Sequence, residues 1–124
     1  MPRLAPLVSG GSTHYCVTSL DVSGRLGDRT LIRMLDWPPA TRLEIREDHG
    51  LILAAADPRG VFRVTGQGYL MLPAAARHWC GLVAGDRVLL VADPPGGWLV
   101  VHPPAALDAM VAAAHLAVWG GENA

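Results

Sequence analysis

The 124-residue chain contains no lysine: all ten of its basic side chains are arginine, set against eleven acids for a formal net charge of −1. That balance excludes a generic basic coat for nucleic acid, so any affinity for phosphate must come from where the arginines are placed. With 14 Gly and 10 Pro, the missing lysine also fits a GC-rich coding sequence, and codon bias competes with function in explaining any single Arg. Cysteine is scarce. Cys16 and Cys80 stand far apart without CxxC spacing, and residues 1–7 lack the apolar run of a secretory leader, which reads as two reduced thiols in a cytoplasmic protein. No stretch reaches the roughly 18 apolar residues of a membrane span. Also absent are a G-x-S-x-G elbow, a P-loop, an H-E-x-x-H pair and any paired carboxylates, so the expectation is a chain that is not an enzyme and needs no cofactor. What is present is core material: 51% apolar against 17% charged residues, too little charge for a disordered chain.

Along the chain, residues 1–13 are rich in Pro, Gly and Ser and read as a loose arm. His14 to Leu20 reads as a strand with a turn at 21–24, Asp28 can cap a short helix over 29–36, and Pro38-Pro39 must end it. Leu43 to Arg46 and Leu51 to Ala56, around a turn at 47–50, predict a hairpin. After residues 57–60 the order begins again. A strand over 61–65, a Gly66-Gln67-Gly68 turn and a short strand 69–72 lead to a helix opened by Pro73 and closed by Gly81. A second hairpin follows, over 87–92 and 98–102.

The recurrence survives alignment. An offset of 44 carries Gly24 onto Gly68, Leu26 onto Leu70 and Arg33 onto Arg77; one gap later, an offset of 45 carries Trp37 onto Leu82, Arg42 onto Arg87, Leu43 onto Val88 and Ile45 onto Leu90. This implies an internal duplication, with residues 14–60 as a diverged first repeat and 61–104 as the second. A unit of about 45 residues is near the size at which an isolated core fails, so the halves are expected to pack on each other or on another copy.

The second half carries Gly68-Tyr69-Leu70-Met71-Leu72-Pro73, then Arg77, Cys80-Gly81-Leu82 and Gly85-Asp86-Arg87-Val88. This spacing resembles the AbrB/MazE/SpoVT family of swapped-hairpin DNA-binding domains. The first half is similar but diverged: Gly24-Arg25-Leu26 and Arg33 remain, Arg29 stands in place of the Pro, and Ala40-Thr41 replace Gly-Asp. The resemblance implies a mainly β fold with short helices, a swapped-hairpin β-barrel built from two tandem repeats, followed by a C-terminal helix. It also implies a transcriptional regulator that is cytoplasmic and nucleoid-associated, contacting double-stranded DNA near the barrel two-fold. The residues it points to are Arg25, Arg29, Arg33 and Arg77, with Arg59 and Arg63 next and Tyr69 able to stack on a base or sugar. Guanidinium suits the task because its donors pair bidentately with phosphate or a guanine edge. The competing reading of each Arg is a solvated helix face or a structural bond to an acid such as Asp36 or Asp86. Tyr69, which replaces a basic residue, and the uncharged run Ala74-Ala75-Ala76 weaken the second half's DNA surface, and they motivate the alternative of a protein-interaction module or antitoxin-like partner binder.

His14-x-Cys16 and His78-x-Cys80 hold zinc-type ligands, but on a helix His78 and Cys80 diverge by about 200°, so buried core is favoured over metal. In the segment 105–124, Leu107, Met110, Val111, Ala114 and Val118 fall on one helix face. Such a stripe caps the barrel, pairs two copies as a homodimer, or binds a protein partner.

Overall fold

In the computed structural model, which describes residues 12–122, six strands and three helices follow one another. The loose arm read over 1–13 lies outside the described residues except for its last two. β1 (His14–Ser19), α1 (Thr30–Met34), β2 (Arg42–Asp48) and β3 (Leu51–Ala56) form the first half; β4 (Phe62–Arg63), α2 (Ala74–Trp79), β5 (Arg87–Asp93) and β6 (Trp98–His102) form the second; α3 (Pro104–Glu122) ends the chain.

Local chemistry explains most boundaries. Asp28 accepts the Leu31 amide at 2.9 Å, supplying the oxygen that the first turn of α1 needs. The hairpin β2–β3 turns on His49 and Gly50, both at positive φ, as the two-residue turn that matches strand twist requires. Expected strand 61–65 keeps only Phe62–Arg63, and the stretch 69–72 forms a single bridge instead of a strand, because its partner is the equally short segment around Arg25. α3 fills nearly all of the segment 105–124 in which the helical stripe is read.

All ladders are antiparallel, in the order β1-β5-β6-β3-β2-β4. β1 and β4 are its two edges and do not pair with each other, so the sheet is open and the closed ladder of a barrel is not formed. The order is a palindrome under exchange of the halves: replacing β1 by β4, β5 by β2 and β6 by β3 returns the same list reversed. Register obeys the same exchange. Ser19 faces Arg87 and Arg63 faces Arg42, pairs that the offsets 44 and 45 interconvert. Each half therefore lends its first strand to the other half's hairpin, and neither hairpin stands alone.

One core follows from this pairing. Alternate residues of the strands (Leu43, Ile45, Ile52, Ala54, Val88, Leu90, Leu99 and Val101) turn inward against Leu31, Ile32, Leu35, Trp37, Ala76 and Leu82 from the helices and their ends. No helix among the described residues is long and apolar enough to cross a membrane.

Candidate nucleic-acid interface

Where the halves cross, residues 24–26 pair antiparallel with residues 70–72: the Leu26 amide donates to the Leu70 carbonyl at 3.0 Å, the Leu72 amide to the Gly24 carbonyl at 2.8 Å, and Arg25 sits opposite Met71. Leu26 and Leu70, interchanged by the offset of 44, are both 0% exposed. Strand alternation then puts Arg25, Tyr69 and Met71 on the outward side of this ribbon.

Arg25 is held there. Its Nε lies 3.0 Å from Asp21 Oδ2, and its guanidinium carbon is 4.6 Å from the centre of the Tyr69 ring. The Asp21 carboxylate also accepts the Arg25 amide at 2.8 Å and the Ser23 amide at 2.9 Å. These bonds, the Arg25 amide foremost, hold its carboxyl below the usual aspartate range, so it stays ionised beside the arginine. In the second half Thr65 Oγ1 takes the corresponding amide, that of Tyr69, at 2.9 Å.

Arg29 arrives from the start of α1. Its guanidinium carbon is 5.0 Å from the same ring, and its Nη1 donates to the Gln67 carbonyl at 3.2 Å. Two guanidiniums of the first half thus share one aromatic ring of the second, and each contact contributes about 0.5–1 kcal/mol at such an exposed place. Tyr69 is half-buried, and its ring carries both guanidiniums. Arg33, exposed on α1, lines an open groove of about 450 Å³ with Asp36, Trp37, Pro38, Gln67 and Gly68. Gln67 therefore joins Arg29 and Arg33 to one turn.

The other expected arginines lie elsewhere. Arg77 packs against Gly24, and its Nε donates to the Leu72 carbonyl at 3.1 Å; its partner is a backbone oxygen rather than Asp36 or Asp86. Arg59 is exposed in the turn where Asp57 accepts its amide at 2.8 Å. Arg63, exposed on β4, faces Arg42 directly, and Arg42 Nε donates to the Gly60 carbonyl at 2.9 Å. Sequence reasoning missed Gln67, Asp21 and Arg42. The alternation Arg42-Leu43-Glu44-Ile45 marks Arg42 as outward-facing, but only the register places it against Arg63.

Both thiols are pushed above their ordinary pKa, Cys16 by burial and the neighbouring Asp28, Cys80 by burial and the nearby Glu47. Raised thiols are poor nucleophiles. Among the described residues no three His, Cys, Asp or Glu side chains gather as a metal site would require. Beside the Arg25–Asp21 pair, Arg29 and Arg33 present exposed guanidiniums, planar N–H donors of the kind that pair with anionic oxygens.

No family model matches this chain, no curated protein matches it, and no solved structure matches it.

Proposed function

We propose that this chain is a DNA-binding transcriptional regulator of the AbrB-like type, a cytoplasmic, nucleoid-associated protein that binds and does not catalyse. The observation that carries the reading is the convergence of Arg25 and Arg29 on Tyr69 at the crossing of the two halves, with Arg33 beside them across Gln67. Arg29 and Arg33 have no ion-pair partner among the described residues, which leaves their charge free for phosphate. The palindromic strand order, in which each half's first strand joins the other's hairpin, supports reading the fold as a swapped-hairpin pseudodimer contained in one chain.

Gel shifts with promoter fragments, the protein's own promoter included, test this at two salt concentrations. Two phosphate contacts, from the unpaired Arg29 and Arg33, predict a slope of log K against log salt of about −1.8. Arg25→Glu with Arg29→Glu is expected to abolish the shift while the thermal unfolding curve stays cooperative, and Tyr69→Ala to weaken it less. Absence of salt-sensitive binding to every fragment overturns the proposal. The alternative, a protein-interaction module, is favoured by a different observation, the exposed apolar surface of α3.

A further inference from the structure

α3 leaves the body of the protein almost at once. The Leu107 amide closes its first turn on the carbonyl of buried Pro103 at 2.9 Å, and only this base of the helix touches β5 and β6. From residue 108 to residue 120 every side chain is exposed. Met110 is 46% exposed, Val111 43%, Val118 61% and Trp119 59%. A helix with apolar residues around most of its circumference is stable when another surface covers it.

The composition of α3 narrows what covers it. Between Pro104 and Trp119 the chain has one acid, Asp108, one histidine, His115, and no arginine. A helix lying on an anionic lipid surface needs a basic polar face, and this one has none. Leu107, Val111, Ala114 and Val118 repeat at the four-then-three spacing of a coiled-coil seam. Asp108 and His115, seven residues apart, both flank that seam on the same side.

We infer that α3 pairs antiparallel with α3 of a second copy of this chain. Antiparallel pairing in one register sets Leu107 against Val118 of the second copy and Val111 against Ala114, and each layer recurs by the two-fold. The same register brings Asp108 opposite His115 of the second copy, twice, so the one acid and the one histidine between residues 104 and 119 satisfy each other. The His115 ring is already steadied by Trp119, with ring centroids 5.2 Å apart. Four layers of small and medium side chains make an interface at or below the ~1,200 Å² lower end of stable complexes, so the association is concentration-dependent. The pairing stands independently of the DNA reading, since it uses none of the ribbon arginines.

Sedimentation velocity of the full chain over roughly 5–500 µM is the test. A monomer–dimer equilibrium is expected; Val111→Glu with Val118→Glu is expected to hold the protein monomeric at every concentration, with the melting temperature of the wild-type chain at its dilute, monomeric end, because both side chains are exposed in the single chain. His115→Asp, which sets two acids opposite each other, should weaken the dimer about tenfold, and adding Asp108→His should restore it. A monomer at all concentrations overturns the inference, as does a dimer indifferent to the glutamates or one that the exchange of Asp108 and His115 fails to rescue. Binding of a monomeric chain to anionic vesicles, or to a different protein, overturns it too. The gel shifts report separately on the ribbon.

Discussion

Gly24 and Gly68 occupy equivalent places in the two halves, with φ of 89° and 88°, and each lies under an arginine from the other half. At Gly24 the cover is tight. A Cβ there would stand 2.7 Å from Arg77 Nε and 2.9 Å from the Leu72 carbonyl oxygen, whereas at Gly68 the nearest atom is Arg29 Cδ at 3.7 Å. One backbone device thus supports two outcomes: an arginine locked into packing and an arginine left at the surface beside Tyr69. A repeated fold fixes the scaffold, and single residues then divide the labour between its halves.

The gap between the repeats also separates Arg77 from Arg33, its match at the offset of 44. α2 has six residues and α1 five. The Trp37 amide closes α1 on the Ile32 carbonyl, and the Leu82 amide closes α2 on the Arg77 carbonyl. Counted from the helix end, Arg77 therefore falls where the first half buries Ile32, and Arg33 falls one residue further round, in solvent.

The sharpest test of this asymmetry is a pair of glycine substitutions followed by thermal or urea unfolding. Gly24→Ala combines left-handed backbone strain with a clash and is expected to cost about 3 kcal/mol, whereas Gly68→Ala, with strain alone, should cost about 1–2 kcal/mol. Equal losses would erase the distinction. A smaller effect separates the covering arginines. Arg77→Ala removes a hydrogen bond and packed methylenes and should cost about 1–2 kcal/mol, while Arg29→Ala should change stability by about 0.5–1 kcal/mol and DNA binding far more. The reverse ranking in melts and gel shifts would make Arg29 the structural residue.

The smallest effect has the opposite sign. Ala40, at φ 73°, stands where the second half has Gly85 at φ 89°; Ala40 donates its amide to Val64 and Gly85 donates its own to Leu20. Ala40→Gly should relieve the strain and raise stability by about 1 kcal/mol, read as an upward shift in the denaturant midpoint. A loss instead would mean that the first half has adapted to its alanine.

Much of this architecture was legible in the residues. The hairpins announced themselves by alternation around His49-Gly50 and Pro94 to Gly97, and the repeat by recurring Gly, Leu and Arg at 44 and 45. The closed barrel expected from the family resemblance was not matched, since β4 is two residues long and leaves both edges of the sheet open. Of the candidate arginines, the sequence could group Arg29 with Arg33 because four residues make one helical turn. It could not bring them to Tyr69, which is remote in the chain and reaches them only through the crossing of the halves. Arg77 shows the same limit in reverse, matching Arg33 in sequence and differing from it in burial.

Periodicity, turn residues and repeat spacing are local properties, and they determined where the two hairpins and the short helices fall and that Gly, Leu and Arg recur at offsets of 44 and 45, while of the strands read over 61–65 and 69–72 only Phe62–Arg63 forms. Register and burial are not local. They decided that Arg25 and Arg29 meet one ring, that Arg77 is spent on a backbone carbonyl, and that α3 projects uncovered, because each depends on which distant segment fills the space beside it.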